Sequence, residues 1–491
     1  MKRLLPLLVL LSTSSTLFAQ AMVGYTGSNY AGYHAVTFNP ALLAQTPYAL
    51  DINVVSVQAG FDNDFVSLRN KGIFGSKTLQ ASYDDFNDFT DRALILDYTE
   101  GDVGQTTNIR LGVDVMGPSA LIPLSPKDAI GIGVRFRNSI HIDELGTEAA
   151  RLAFDAFEFE PLWNQDFETD GVRLSAMNWL EYQFSYARNL YETEDKTHYL
   201  AGGATVKLLQ GLQAMYLYSD DLNYNFFNDD LLTLTQSNLQ YGHSEGFNIN
   251  DPVRNFRFDD LGFGADLGVV YEWRPEGEAY NGKPGQTPAA TDRSAVRYRL
   301  KASVALLDIG SITFSRSPKA YDRTDGTIDI ELWDITNGQI GNVGDFDDTL
   351  RIRFPDGDRA STSFRMTLPR TLTLQLDAHI IDGLYVGVNG WWSPKSPDDP
   401  TKIHGVSRIT LNPRYEMRWF EAGVPLSIQP YNGFDAGLFL RLGPVILGSA
   451  NLFSNAFGES LNGADVYIAA RIPLLHGRRV ESVDGSDSNQ Y

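Results

Sequence analysis

Arg370 to Ile380 reads RTLTLQLDAHI. Leu372, Leu374, Leu376, Ala378 and Ile380 fall on one side of an extended chain; Thr371, Thr373, Gln375, Asp377 and His379 fall on the other. Successive side chains of a strand point to opposite faces, so strict alternation predicts a strand with one apolar and one polar face.

The same grammar recurs along the chain. In LEYQFSYAR, Leu180, Tyr182, Phe184 and Tyr186 oppose Glu181, Gln183 and Ser185. In IGVRFRNSIHI, Ile132, Val134, Phe136, Ile140 and Ile142 oppose Arg135, Arg137, Ser139 and His141. VRYRLKASV sets Val296, Tyr298, Leu300, Ala302 and Val304 against Arg297, Arg299, Lys301 and Ser303, and YEMRW sets Tyr415, Met417 and Trp419 against Glu416 and Arg418. A soluble sandwich alternates too. Three features favour a transmembrane barrel: runs of strand length, aromatic residues near strand ends (Trp273, Trp391, Trp392, Trp419, Phe420), and connections that alternate short and long.

Tight links carrying turn residues occur at 124–128, 191–196, 380–384, 419–423 and 443–444, and long polar links at 62–108, 143–175, 219–259 and 316–362. Walking between them predicts fourteen strands, near 48–60, 109–123, 128–142, 176–190, 197–218, 259–273, 295–315, 365–379, 383–393, 403–418, 421–430, 433–442, 444–452 and 464–474. The fold expected is all-β: a transmembrane antiparallel β-barrel at residues 48–475, with short turns facing the periplasm and both ends on that side. On this assignment Arg135, Arg137, Glu181, Arg297, Arg299, Lys301, Asp377 and His379 line the lumen, with Asp266, Glu272, Glu416 and Arg418 beside them. They serve either as charge ladders that hold the lumen together or as an anion-guiding track.

The chain opens MKRLLPLLVLLSTSSTLFAQA, with Lys2 and Arg3 before an apolar run and Ala19-Gln20-Ala21 after it. That is the layout of a cleaved secretory signal over residues 1–21, and its apolar core is shorter than the roughly 20 residues a spanning helix needs. The chain has no cysteine, so disulfides do not hold it together. With 40 basic against 61 acidic residues it is strongly acidic, which argues against nucleic acid as a partner. Expected instead are the outer-membrane lipid of a Gram-negative bacterium and, for insertion, the barrel assembly machinery. The stretch from Asn462 to Ile468 resembles the polar-Gly-x-x-apolar-x-apolar assembly signal of outer-membrane barrels. Residues 476–491 are polar and read as a disordered periplasmic tail.

Between leader and first strand lies GSNYAGYHAVTFNPALLAQ, Gly27 to Gln45. Its rings suit packing against a wall, Pro40 suits the first turn of a short helix, and Asn39 suits its cap. Residues 22–47 therefore read as a hatch inside the barrel. The run AVTFNPALLAQ (Ala35 to Gln45) resembles the N-terminal hatch of the long-chain fatty-acid transporter (FadL-like) family of outer-membrane barrels, and also the PorV-type barrels of type IX secretion. LAGGATVKLLQG (Leu200 to Gly211) and FDAGLFLRLGPVILGSANLFS (Phe434 to Ser454) resemble a Bacteroidota family of outer-membrane barrels of unknown function. The resemblance implies fourteen strands and carries over one set of functional residues, the hatch tripeptide Asn39, Pro40 and Ala41.

Motifs for other chemistry are weak. Gly242-His243-Ser244-Glu245-Gly246 matches a Gly-x-Ser-x-Gly nucleophile elbow, but its flanks are loop-like and no helix pattern follows. The acidic clusters at Asp84, Asp85, Asp88 and Asp91, and at Asp345, Asp347, Asp348, Asp356 and Asp358, lack calcium-loop spacing and read as solvated outer charge. The seven histidines include no metal-binding pair at helical spacing. No enzyme, metal or cofactor is expected. Two functions are: a gated conduit for a hydrophobic or amphipathic small-molecule cargo, or a docking or shuttle barrel for a secreted surface protein, associated with type IX secretion or surface attachment and using the long acidic loops.

Overall fold

The computed structural model describes residues 22–69, 94–96, 104–154, 159–219, 221–228, 231–235, 238–248, 259–275, 298–317, 321–324, 328–331, 347–348, 351, 358–359, 361–381, 383–395, 399, 401–458 and 460–475. The leader, the tail, Arg297 and the first acidic cluster lie outside them.

Fourteen antiparallel strands close into one ring. They are β1 (Tyr48–Asn63), β2 (Thr106–Pro123), β3 (Asp128–Gly146), β4 (Val172–Glu192), β5 (His198–Ser219), β6 (Leu261–Trp273), β7 (Leu300–Ser315), β8 (Thr371–Ile381), β9 (Leu384–Trp392), β10 (Arg408–Glu416), β11 (Phe420–Gly423 with Leu426–Gln429), β12 (Gly433–Ala436 with Leu438–Leu442), β13 (Val445–Ser449) and β14 (Gly463–Leu475). Each pairs with the next, and β14 returns to β1 in the register Ile52↔Ile472 and Val57↔Ile468. The ring therefore has no free edge, as a sheet in a bilayer requires.

Burial inverts the rule of a soluble protein. In β8, Leu374 and Leu376 are 49% and 56% exposed, while Thr373 and Asp377 are fully buried. Ile132, Phe184, Val206, Leu267, Val388, Ile409 and Ile468 continue the exposed apolar belt around the ring. Such a belt is stable against hydrocarbon and costly against water. No helix among the described residues is long and apolar enough to cross a membrane. Trp273, Trp392, Trp419 and Phe420 point outward as expected of a girdle, but Trp391 turns inward against Phe38, with ring centroids 5.2 Å apart.

At the end carrying the long connections, the wall continues beyond the fourteen strands. Ser363–Thr367 pairs with the last residues of β7, and Leu239–His243 pairs with the end of β5. Four short strands, Asp166–Thr169, Leu222–Phe226, Leu231–Thr235 and Ile328–Glu331, form a separate small sheet, and Phe167, Tyr224 and Phe226 from it pack with Leu152 and Leu162.

Candidate functional site

The lumen is where the polar faces of all strands converge, and it is filled in layers. In the half near the short turns lies the N-terminal segment, two 3-10 turns, Gly32–Thr37 and Pro40–Gln45, preceded by irregular chain. From Met22 to Pro47 it is buried except at Asn29, Thr37 and Gln45, which are half-buried. Its partners come from every side of the ring. Gln375 donates to the Gly27 carbonyl (2.7 Å), Asn412 to Gly24 (2.7 Å), Tyr467 to Val23 (2.8 Å) and Thr373 to Phe38 (2.7 Å). The Tyr33 N–H donates to Asp51 (2.8 Å), itself 3.5 Å from Arg471.

The Asn39-Pro40-Ala41 tripeptide has a distinct place in this packing. Asn39 caps the second turn by accepting from the Ala41 N–H (2.9 Å), and its amide donates to the wall carbonyls of Val269 and Val304 (3.1 and 3.2 Å). The wall is cut back to admit it. A Cβ at Gly203 would lie 2.5 Å from the Pro40–Ala41 backbone, and one at Gly268 would collide with the Asn39 amide.

Towards the long connections comes a layer of interlocked charge. Arg135 makes a two-pronged contact with Asp114. Arg137 Nη1 lies 2.9 Å from both Glu181 and Asp308, with its guanidinium 4.8 Å over the Trp179 ring. Lys207 Nζ lies 2.6 Å from Asp308 and 2.8 Å from Asp266. The Trp179 indole N–H and the Gln183 amide donate to Glu181 as well (2.8 and 2.7 Å). Asp308 takes a left-handed backbone, φ 58°, where β7 is irregular against β6, and its own N–H donates to Asp266 (2.7 Å). Each carboxylate thus meets a cation or fixed N–H donors, the condition under which buried charge is tolerated.

Beyond it, Met177, Trp179, Leu209, Phe314, Phe364, Met366, Leu368 and Ile403 form an apolar cluster. Ile403 reaches it from the connection between β9 and β10, which folds inward: the Thr367 N–H donates to Thr401 (2.9 Å) and the Gly405 N–H to Ser393 (2.8 Å). A cavity of about 120 Å³ lies among these layers. Val23, Val36 and Thr37 of the N-terminal segment contribute to it, with Arg110, Arg135, Arg137, Lys207 and Arg408, Trp179, Leu307 and Trp391, and, from the inward connection, His404 and Gly405.

Of the predicted lumen residues, Arg135, Glu181, Lys301, Asp377 and His379 are buried, and Arg137 nearly so. Asp377 is gripped by both Nη atoms of Arg414 (2.7 Å each), Lys301 donates to Asn29 (3.0 Å), and His379 stacks on Tyr385 at 4.7 Å. Arg299 is a correction: β7 begins only at Leu300, Tyr298 turns inward to donate to Asp377 (2.5 Å), and half-buried Arg299 at the rim donates to the Ile380 carbonyl (3.0 Å). Arg418 is another, since it is exposed in the turn after β10. Lys207 and Arg414 were missed, although each lies on the polar side of a strand pattern; Asp308 was missed because it lies on the apolar side of its pattern and turns inward only through the irregularity at its left-handed backbone. Ser244 does not form an elbow: its hydroxyl accepts from the Ala214 N–H (3.0 Å), while His243 faces Asp347 (3.1 Å).

A family model described as a family of unknown function (DUF5723) matches residues 40–450. No curated protein matches the sequence. Among solved structures, the chain is similar to the toluene transporter TbuX of Ralstonia pickettii (11% identity, 94% of this chain and 100% of that one, TM-score 0.39) and to a FadL homologue of Pseudomonas aeruginosa (9%, 94% and 100%, 0.40). It is also similar to the translocator domain of the autotransporter NalP of Neisseria meningitidis (7%, 86% and 89%, 0.27).

Proposed function

The chain belongs to that family of unknown function (DUF5723), and from this premise we propose that it is an outer-membrane barrel acting as a gated conduit for hydrophobic or amphipathic small molecules, with residues 22–47 as the gate. The observation that carries the reading is the cavity lined in part by the N-terminal segment. Removing that segment joins the cavity to the space at the turn end, without any change in the wall.

Chemistry around the cavity supports an amphipathic cargo. Trp179, Leu307 and Trp391 offer apolar surface, and the inward apolar cluster extends it towards the long connections. The guanidinium groups of Arg110 and Arg408 at the same cavity suit an acidic head, because guanidinium matches carboxylate in two-pronged fashion. The leader, the apolar belt and the closed ring together support placement in the outer membrane of a Gram-negative cell.

The test is deletion of residues 24–44 from the full chain, followed by reconstitution into liposomes. A folded variant should admit small solutes that the intact protein excludes. Equal permeability of the two folded proteins would sink the reading. A second reading, a docking platform for a secreted surface protein, is favoured by the small sheet that the connections build outside the ring. It predicts co-purification with surface proteins, lost on trimming the 316–362 connection.

A further inference from the structure

Strand β3 places His141 and Asp143 two residues apart, hence on the same face, and that face is inward: they are 1% and 3% exposed. The inward connection between β9 and β10 brings His404, 5% exposed, against them. Among the described residues this is the one place where three such side chains hold ligand atoms within 4.8 Å of one another. His404 Nε2 lies 2.9 Å from Asp143 Oδ2, and the two imidazole centroids are 4.4 Å apart.

The remaining atoms of the cluster are already occupied in the pattern of a metal site. His404 Nδ1 lies 3.0 Å from the Gly405 carbonyl, an acceptor only, so this nitrogen carries a proton, and in the neutral ring Nε2 is the lone pair. That lone pair faces a carboxylate oxygen, an arrangement unfavourable unless a proton or a metal lies between them. His141 Nε2 lies 2.9 Å from the Ser139 hydroxyl, and its Nδ1 is buried with no hydrogen-bond partner. The other carboxylate oxygen of Asp143, Oδ1, makes no hydrogen bond but lies 3.1 Å from Lys395 Nζ in an ion pair. Metal-bound imidazoles typically donate their second N–H to a carbonyl or hydroxyl, and bound carboxylates are themselves hydrogen-bonded.

We propose that His141, Asp143 and His404 bind one divalent transition metal of the zinc class. Two imidazoles and a carboxylate are the ligand set of such ions, and with metal–ligand distances of about 2 Å the three atoms need at most about 1.5 Å of closure. Ser139 and His404 both line the cavity, which leaves its side for a fourth ligand, water or cargo. Bound metal would pin the inward connection to the wall of β3.

The test uses the full chain in detergent, stripped with chelator and titrated with Co²⁺ and Zn²⁺. One Co²⁺ per chain should bind with the visible absorption of low-coordinate cobalt, and Zn²⁺ should displace it and raise the unfolding midpoint. His404→Gln, in a connection rather than a strand, and His141→Ala should abolish both effects. Ser139→Ala should weaken binding by about tenfold through loss of ring orientation. His198→Ala, an exposed control, should bind as the intact chain does. A protein that binds no metal, or whose His404→Gln variant binds equally well, overturns the proposal; in that case the cluster is a hydrogen-bonded His404–Asp143 pair.

Discussion

In the turn half of the lumen, Gln375, Asn412, Thr373 and Tyr467 each reach from the wall to one backbone carbonyl of the N-terminal segment. In the other half, Arg135, Arg137 and Lys207 interlock with Asp114, Glu181, Asp266 and Asp308, all of them wall residues. The first set is largely neutral and scattered, each bond worth about 1 kcal/mol net and replaceable by water. The second is charged and mutually dependent, so that removing one member leaves opposite charges buried. On the proposed function the first filling is the removable one, and the second is part of the wall.

The sharpest way to break this contrast is Lys207→Met. It takes the cation from between Asp266 and Asp308, and the cost should be about 3–5 kcal/mol, read as a fall in the unfolding midpoint of the barrel. A barrel as stable as the parent would mean that water reaches this layer and that the two halves are alike. Next comes Gly203→Val, whose side chain meets the Pro40–Ala41 backbone. Overpacking of this kind costs about 1–3 kcal/mol. Here it should fall on the segment, giving faster proteolysis within residues 22–47 at an unchanged barrel midpoint.

The same contrast explains what could be read from the sequence. Alternation is a local property, and together with the spacing of tight turns and long links it placed the fourteen strands, because a barrel strand must set an apolar face against a polar one. It failed where strands stop: at Arg299 and Arg418 a bend resets the parity, and Tyr298 takes the inward place. Partnerships across the lumen were not legible. Lys207 meets Asp308 across 101 residues of sequence, and only the register of β5, β6 and β7 brings them together. His141 and Asp143 share a face by their spacing alone, a signal that a search for helical spacing passes over. His404 gives no such sign, since its place depends on a connection folding back into the ring.

The smallest effect tells most about how the proposed gate would move. Gln375→Ala removes one donor to the Gly27 carbonyl, and Asn412→Ala one to Gly24. Each should cost about 1 kcal/mol, a roughly fivefold rise in the displaced population, measured by amide exchange across residues 22–47. If the segment leaves as one body, each variant raises exchange along its whole length, and the double variant multiplies the two to about thirtyfold. If it peels from Met22, Asn412→Ala raises exchange near Gly24 alone, and the cap at Asn39 stays shut in both variants. The second outcome would make Asn39, held to the carbonyls of β6 and β7, the hinge of the gate rather than part of what moves.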